Sequence, residues 1–433
     1  MNSITKIAEM MTNFVSNQLS DSPSLTEIEQ TMQKLLHEVG RQAVEQVVQA
    51  QSPTYPDPII TCHCGQQIPY LRQRKASFHT LFGRIEAKRA YYLCSLCRQG
   101  TYPLDKTLQL NPNGLSNHLK RLVAMVGVQL PFRTGCTLFE ALTLVSVSDQ
   151  AMGKATQEVG ELSMTQEKKQ QNQARDDSFL LKRKREARHP VRLYGTLDAT
   201  KVHIRDDQEH RWRDLKIGAW FQARGCPPTS SDGQWSIQAE NIRYFTDICP
   251  AKEFGELFWS HGVQQDAQLA HELVILGDGA EWIWNLVDAH FPNAIQILDW
   301  FHASEHLMPV AKSIFKGEEE QQQWVRQMKQ FLWQGEVEAV ISECDALALT
   351  FCHDILRTTA NYFENHKERM RYDYFRQQGY QIGSGTIESA AKQIGSMRMK
   401  VPGAIWNEAN ARKVAKARAS YLSDQWASLP FVT

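Results

Sequence analysis

The chain has 433 residues, of which 42% are hydrophobic and 22% are charged, a composition typical of a soluble globular protein with two to four domains. The 48 Lys and Arg residues equal the 48 Asp and Glu residues in number, so a nucleic-acid surface must come from local clusters of charge and not from net charge. There is no basic-then-apolar signal pattern at the N-terminus and no apolar run of roughly 20 residues. These observations predict a cytoplasmic protein with no membrane partner.

The N-terminal part of the chain divides into four predicted segments. Residues 1–55 have apolar residues spaced by three and four, which predicts a helical segment. Residues 56–105 contain β-type sequence between paired cysteines and predict a zinc-ribbon-like module. Residues 106–165 predict helices, of which TLFEALTLV and QAMGKATQEVGELSM, joined by SVSD, have the outline of a helix-turn-helix. The charged residues 166–190 predict a linker.

The pattern changes to α/β after this segment. Residues 191–302 begin with three predicted strands joined by short turns, which indicates an antiparallel meander. Two apolar strands without alternation follow, ELVILGD and AIQILD, and they alternate with helices as expected for a mixed sheet covered by helices. Residues 303–378 give only helical signals, and helices follow the turn GYQIGSG in residues 379–425. The predicted class is a multidomain α+β protein.

Two aspartates end predicted strands in this region. Asp198 ends the first strand, and Asp278 lies in LGDGA where a buried strand meets a glycine turn. Ligands collect at the carboxyl ends of strands in open α/β sheets. Glu388, in the first turn of the helix after GSG, would be a third carboxylate. Three such ligands suit Mg²⁺ or Mn²⁺, and two ions about 4 Å apart can promote phosphodiester cleavage and joining.

Each of these carboxylates also has a structural interpretation. Asp198 could cap a turn, and Asp278 could be a turn residue between glycines. Glu388 could favour the helix dipole or pair with Lys392 one turn later. Considered together, two strand-end aspartates and one glutamate after a glycine turn favour a metal site.

Asp299 is a competitor for the third position. It ends the next buried strand in ILDWFH, and His302 follows three residues later. On spacing alone Asp299 could replace Glu388 as a ligand. The alternative is that Asp299 caps a helix that starts at DWFH.

The cysteines predict a second metal site. Nine cysteines in a long cytosolic chain argue against a disulfide framework. Two close pairs, Cys62 with Cys64 and Cys94 with Cys97, satisfy the tetrahedral preference of a structural Zn²⁺, unless they are buried thiols. His63 could substitute for one sulfur. The module also carries basic residues that suit either phosphate contact or a solvated face: Arg72, Arg74, Lys75, Arg84, Lys88 and Arg89.

Three sets of side chains are candidates for DNA contact. The second helix of the helix-turn-helix offers residues that can reach base edges, although the same geometry occurs in ordinary helix packing: Gln150, Lys154, Thr156 and Gln157. Basic residues near Glu388 can meet backbone phosphates: Lys392, Arg398 and Lys400. Aromatic residues can stack on an extruded base or pack in the core: Tyr362, Phe363 and Tyr372.

Several blocks of this sequence resemble the bacterial ISKra-type insertion-sequence transposases over nearly the whole chain. The resemblance rests on blocks in the same order, which are LDATKVH, DLKIGAWF, VILGDGAEWIWNL, ILDWFHASEHL, YFENHKERMRY and GYQIGSGTIESAAKQ. It implies an RNase-H-like catalytic domain interrupted by an all-helical insertion. The implied DDE triad is Asp198, Asp278 and Glu388, while Asp299 and His302 match a supporting Asp-x-x-His signature. One departure is Ala199, where many DDE enzymes have glycine.

The resemblance also implies a function and partners. A transposase of this type binds the terminal repeats of its element and catalyses metal-dependent DNA cleavage and strand transfer with two Mg²⁺ or Mn²⁺ ions. Its partners are double-stranded DNA at the element ends and the target, and it acts as a homo-oligomer at the nucleoid. Two alternatives remain open, a catalytically inactive DNA-binding regulator and a metal-dependent nuclease without joining activity.

Overall fold

The computed structural model of the protein describes residues 3–52, 56–186, 189–206 and 211–429. The chain forms two compact units, and their boundary lies between Val159 and Gly160. Both units combine helices with a sheet, which confirms the predicted mixed α+β class. Among the described helices, none has the combination of length and apolar sequence that a membrane span requires.

Unit 1 contains the first five helices, the start of the sixth and a small sheet. The helices are α1 (Ser3–Ser16), α2 (Leu25–Ala50), α3 (Pro103–Thr107), α4 (Asn117–Gly127), α5 (Phe132–Thr143) and α6 (Asp149–Ala174), which continues into unit 2. The strands are β1 (Ile59–Thr61), β2 (Gln67–Thr80), β3 (Gly83–Leu93) and β4 (Gly100–Thr101). They form one antiparallel sheet in the order β1-β2-β3-β4.

Helix α2 packs on this sheet and protects part of the edge of β3. Its Val44 and Val48 pack against a buried cluster from the hairpin β2–β3. The Glu45 carboxylate accepts the backbone N–H of Glu86 at 2.8 Å, and the Gln49 side chain accepts that of Lys88 at 2.9 Å. An unpaired strand edge exposes such N–H groups, so these side chains complete the sheet where β4 does not reach.

Unit 2 contains a five-stranded sheet and most of the helices. The strands are β5 (Arg192–His203), β6 (Trp212–Arg224), β7 (Gln238–Asp247), β8 (Glu272–Gly277) and β9 (Ile295–Leu298). The helices around the sheet are α7 (Asp177–Glu186), α8 (Ala251–Gln264), α9 (Glu281–His290), α10 (Trp300–Glu305), α16 (Gly385–Ala390) and α17 (Glu408–Leu422). The helices between α10 and α16 are α11 (Leu307–Ile314), α12 (Glu318–Trp333), α13 (Val337–Phe351), α14 (Asp354–His366) and α15 (Tyr372–Gln377). A π-helix (Ala391–Met399) follows α16 directly.

The sheet has the order β7-β6-β5-β8-β9. Strands β5, β6 and β7 form the predicted antiparallel meander, and β8 and β9 add in parallel beside β5. The Trp220 ring stacks on Phe258 of α8 at 4.5 Å. A Cβ atom on Gly195 would lie 2.7 Å from Trp220, so glycine lets this indole lie against the neighbouring strand.

The charged segment 166–190 is not an extended linker. Residues up to Ala174 belong to α6, and Asp177–Glu186 form α7; Ala187 and Arg188 lie outside the described residues. Its charges have partners far along the chain. The Arg183 guanidinium, for example, donates to Asp266 at 2.7 Å. The high charge density therefore reflects tertiary ion pairs, which a local reading of composition does not reveal.

A buried ion network joins α6 to the sheet within unit 2. The Lys416 ammonium is 2% exposed and lies 2.6 Å from Glu167 and 3.0 Å from Asp247. Burial alone would raise the pKa of Glu167, yet the charges of Lys416 and His261 hold it below its ordinary value. Arg412 adds a second cation, 2.6 Å from Asp247. Removing one member of such a network leaves a buried charge without compensation.

We predict that Lys416→Ala destabilises unit 2 by about 3–5 kcal/mol, because Glu167 and Asp247 lose their buried cation. All 11 tryptophans lie between residues 212 and 426, so denaturant unfolding followed by tryptophan fluorescence reports on this unit. Lys413 on the same helix pairs with the exposed Glu161 at 2.6 Å. Lys413→Ala should cost less than about 1 kcal/mol. Equal losses of stability in Lys416→Ala and Lys413→Ala would contradict the assignment of Lys416 as the buried cation of this network.

Candidate functional site

Three aspartates lie side by side where the parallel pairing of three neighbouring strands ends. Asp278 and Asp299 follow the last residues of β8 and β9, whereas Asp198 lies inside β5, which continues to His203 beside β6. The prediction that Asp198 ends its strand is therefore wrong, because β5 outlasts its parallel neighbour. Thr196 of β5 is paired with Leu276 of β8, so Asp198 and Asp278, each two residues further on, are in register. Gly277 is paired with Leu298 of β9, which places Asp299 beside Asp278. The parallel pairing thus brings together three segments that are far apart in sequence.

Asp299 connects this edge of the sheet to the turn before Glu388. One carboxylate oxygen accepts the N–H of His302 at 2.5 Å, which caps α10. The other accepts the N–H of Ser384, the residue that precedes α16. The Ser384 hydroxyl in turn donates to Glu388 at 3.3 Å. Asp299 therefore holds the helix that bears Glu388 against the strand ends.

Glu388 shares the electrostatic environment of the aspartates. The pKa of Asp198 is raised to about 6, mainly by burial and also by the negative charges of Asp278 and Glu388, while the Ala199 N–H and His302 oppose the shift. Burial also raises the pKa of Asp299 to about 6, with an added contribution from Glu388. The site therefore concentrates negative charge in partly dehydrated surroundings, where a cation would be stabilised.

The carboxylates of Asp198, Asp278 and Glu388 are too far apart to bind one cation directly as they stand. In the part of the chain that the structure describes, a set of metal-ligand atoms that all lie within 4.8 Å of one another is found at the cysteines. The carboxylate oxygens of Asp198, Asp278 and Glu388 do not meet this distance. A cation shared by all three would therefore need water or phosphate oxygens between ligands, or a closer approach of α16.

The structure favours support over ligation for Asp299. The side chain is 1% exposed, and both oxygens accept backbone N–H groups. Asp278 makes a turn contact as well, since one of its oxygens accepts the N–H of Ala280 at 2.9 Å. Between these residues, Gly279 has φ +90°, a conformation that favours glycine. In the described ranges of the chain, Lys392 forms no ion pair with Glu388. The interpretation of Glu388 as a partner of Lys392 is therefore not supported.

The predicted aromatic residues are mainly structural. Phe363 and Tyr372 are fully buried, and Tyr372 donates its hydroxyl to the Leu298 carbonyl at 3.0 Å. Tyr362 donates to the carbonyl of Asp278 at 3.2 Å, and its ring stacks on His306 at 4.0 Å. These rings hold the strand ends in place. No spacing in the sequence indicates this role, because the contacts join distant segments.

Arg398 is a correction to the predicted phosphate contacts. Its side chain is 1% exposed and lies 5.2 Å from the Trp406 ring centroid. Burial, with the nearby charge of Arg418, lowers the pKa of Arg398 to about 10. The reason is tertiary packing: Arg398 lies in the π-helix, and its guanidinium packs over the ring of Trp406, which follows that helix. Lys392 and Lys400 are exposed, as a phosphate contact requires.

The helix-turn-helix candidates are only partly at the surface. Helices α5 and α6 are joined by residues 144–148. Gln150 and Lys154 are exposed and Gln157 is half-buried. Thr156 is fully buried and donates its hydroxyl to the Met152 carbonyl at 2.8 Å. Thr156 therefore packs in the helical core and does not face a partner.

The four cysteines form a compact tetrad at one end of the small sheet. The turns β1–β2 and β3–β4 lie next to each other because Tyr70 of β2 is paired with Tyr92 of β3. Two sulfur–sulfur distances are 3.6 Å, from Cys62 to Cys97, and 3.7 Å, from Cys64 to Cys94. A tetrahedral zinc site with ~2.3 Å bonds has sulfur–sulfur distances of about 3.8 Å. The tetrad is therefore compatible with structural zinc.

Two further features refine this site. The N–H of Cys97 is the main cause that lowers the pKa of Cys94 to about 7, which favours the thiolate that metals bind. His63 lies outside the group of mutually close ligand atoms, although its ring nitrogen is 3.3 Å from the Cys62 sulfur. Four sulfurs thus complete the site without His63.

The basic patch of this module is smaller than the sequence predicts. Arg89 is buried, forms an ion pair with Asp105 and lies 4.0 Å from the Tyr102 ring centroid. Arg74 is half-buried over the Tyr91 ring. The exposed basic residues of this patch are Arg72, Lys75, Arg84 and Lys88.

We predict that Asp198→Asn stabilises unit 2 at pH 7.5 by about 1–3 kcal/mol, because it removes a buried, repelled charge. The folded-state pKa of about 6 lies above the ordinary 3.8, so the folded state binds the proton more tightly. The gain should therefore shrink as the pH falls through 6 and vanish near pH 4. Tryptophan-monitored unfolding at several pH values measures it.

Asp214→Asn is the matched control, since Asp214 lies on β6 and pairs with Lys201 at the surface. It should bring no gain in stability at any of these pH values. A loss of stability in Asp198→Asn at pH 7.5 would show that the carboxylate is a favourable structural partner and not a strained one.

Comparison with known proteins gives one assignment. No curated protein matches the chain. A family model, described as Uncharacterised protein family (UPF0236), matches residues 18–425, a span that includes the cysteine tetrad, the three aspartates and Glu388. The chain therefore belongs to the UPF0236 family.

Proposed function

We propose that the protein is a DNA transposase of the DDE type, with Asp198, Asp278 and Glu388 as the metal-binding triad. The observation that carries this proposal is the parallel register that sets Asp198 beside Asp278, with Glu388 close enough to raise the pKa of Asp198. A structural role alone does not require acidic neighbours beside Asp198, whose buried charge they oppose. Strained carboxylates of this kind are typical of functional sites.

The residues of the chain have distinct roles in this proposal. Two Mg²⁺ or Mn²⁺ ions would activate the attacking oxygen and stabilise the leaving one. Asp198 would provide a ligand from within β5 and Asp278 one from the end of β8, and Glu388 would provide a third from α16. Asp299 positions Glu388 through Ser384. The surplus negative charge gives the site its preference for divalent cations over a monovalent ion.

The surroundings of the triad support an RNase-H-like domain. An antiparallel meander followed by two parallel strands, with carboxylates at the parallel ends, suits that fold. The helices from Leu307 to Gln377 would be the insertion. Exposed Lys392 and Lys400 flank the site, and Lys400 donates to Thr200 of β5 at 3.1 Å, which keeps its charge near the strand of Asp198. These cations would neutralise DNA phosphates.

Unit 1 would recognise the element ends. We assign structural Zn²⁺ to the cysteine tetrad, where it would hold the two turns of the small sheet. Gln150, Lys154 and Gln157 would approach base edges from α6, and the exposed basic residues of the sheet would contact phosphates. Binding of two element ends implies a homo-oligomer that works on DNA at the nucleoid of a bacterial cytoplasm.

We predict that Asp278→Asn lowers Mg²⁺-dependent DNA cleavage about a thousandfold, because the loss of a metal ligand removes several kcal/mol of transition-state stabilisation. The substrate is a labelled duplex from the DNA that flanks the coding sequence, and gel electrophoresis measures strand cutting. Binding of the same duplex should be unchanged. Asp345→Asn, at an exposed position of α13, is the control that keeps cleavage.

The alternatives give different results in the same assay. Pre-cut ends incubated with plasmid should yield joined products if the protein is a transposase. Cleavage without joined products would indicate a nuclease, and binding without cleavage would indicate an inactive regulator. Cleavage that persists in Asp278→Asn would reject the triad.

We also predict that the purified chain holds one zinc ion, which elemental analysis would detect. Cys62→Ser and Cys94→Ser should lose the metal and open strands β1–β4 to limited proteolysis, because structural zinc contributes directly to folding. Cys352→Ser changes an exposed cysteine outside the tetrad and should retain both zinc and resistance. Equal zinc content in all three variants would contradict the assignment.

A further inference from the structure

A partly exposed aromatic pair lies beside the candidate active site, with Phe301 exposed and Trp235 half-buried. Trp235 belongs to the connection between β6 and β7, and Phe301 to the first turn of α10. Their ring centroids are 5.3 Å apart with an interplanar angle of 47°. Phe301 is 41% exposed, although its neighbour Trp300 is 2% exposed. One large apolar ring thus faces solvent on a helix whose Trp300, Ala303 and Ser304 are buried.

The pair covers the turn that leads to Glu388. A Cβ atom on Gly383 would lie 2.9 Å from the Phe301 ring and 3.4 Å from Trp235, so the glycine backbone passes directly against both rings. The next residue is Ser384, whose N–H binds Asp299. The rings are therefore fixed to the same turn that orients the third carboxylate.

The two rings differ in how they are held. Trp235 also packs against the main hydrophobic core of unit 2, which limits its movement. Phe301 is not part of that core, and its exposed surface is available for stacking. A flat apolar surface next to a phosphate-handling site suits a nucleobase, since every base offers a π-face and stacking tolerates any sequence.

We propose that Trp235 and Phe301 form a stacking platform for one unpaired nucleobase of the DNA strand that enters the carboxylate site. The proposal rests on the proposed function, because it assumes that the phosphate of that strand lies at Asp198 and Asp278. Phe301 lies two residues after Asp299, and Gly383 precedes Ser384, whose N–H donates to Asp299, so the platform adjoins the carboxylates at which that phosphate would lie. The substrate would therefore have an unpaired base at the position where the strand is cut.

The test compares DNA binding by full-length variants. The probes are labelled duplexes from the DNA that flanks the coding sequence. One probe is fully paired, and each of the others has a single abasic site that leaves the opposite base unpaired. The abasic site is moved one position at a time through the series. Fluorescence anisotropy with Ca²⁺ in place of Mg²⁺ measures affinity. Phe301→Ala and Trp235→Ala should weaken binding of the best unpaired probe about tenfold, and of the paired duplex by less than about twofold.

Conservative variants distinguish stacking on a base from apolar packing against the turn at Gly383. Phe301→Leu keeps apolar contact with Gly383 but lacks a π-face, so it should lose as much affinity as Phe301→Ala, while Trp235→Phe should retain most of it. Phe351→Ala is the matched control, since Phe351 is 40% exposed on α13. Parental affinity in Phe301→Leu, or equal losses on paired and unpaired probes, would overturn the proposal.

Cleavage distinguishes this proposal from the one on which it rests. If the parent cuts DNA and Phe301→Ala binds unpaired probes as Phe351→Ala does, the platform alone is rejected. If the parent does not cut DNA and the aromatic variants still lose affinity for unpaired probes, the platform stands as a nucleic-acid contact and the catalytic assignment fails.

Discussion

The end of β9 and the turn before α16 are joined by one buried carboxylate. Asp299 accepts N–H groups from His302 and Ser384, so a single side chain caps one helix and anchors the approach to another. Hydrogen bonds to a charged acceptor are stronger than neutral ones, and burial removes the competition of water. The same turn is also held by the Trp300 N–H, which donates to the Ile382 carbonyl at 2.8 Å, and by the Gln381 N–H, which donates to the Tyr194 hydroxyl at 3.1 Å. Among these contacts, the one from Asp299 reaches the residue next to α16, so it acts most directly on the position of Glu388.

The charge of Asp198 destabilises the folded protein, and contacts around the candidate site hold the carboxylates in place. Asp198 is ionised at neutral pH only at a cost, because burial and neighbouring charges favour its neutral form. Rigid contacts hold the group in place, among them the Tyr362 hydroxyl on the Asp278 carbonyl and the parallel register of the strands. Functional sites commonly concentrate such unfavourable charge. A bound cation would remove the cost, which links stability to metal binding.

The sequence predicts those features that follow from short-range rules. Asp198 and Asp278 could be paired in advance, because parallel strands end at the same edge of a sheet, and the cysteine tetrad follows from its spacing. Long-range pairing is not visible in the same way. Glu167 looks like part of a solvated linker because its partner, Lys416, lies 249 residues away. Arg398 is predicted to contact phosphate because it is basic and close to Glu388 in sequence, and no local pattern reveals that its side chain is buried beside Trp406.

The central claim is that three remote carboxylates bind divalent cations together. Crystals soaked in Mn²⁺ and measured for anomalous scattering test it most directly. Strong peaks are expected beside Asp198 of β5 and the end of β8, about 2.1 Å from oxygens of Asp198 and Asp278 as in an octahedral site, with Glu388 in the coordination sphere. The absence of such peaks, or ions bound by the aspartates while Glu388 stays apart, would contradict it.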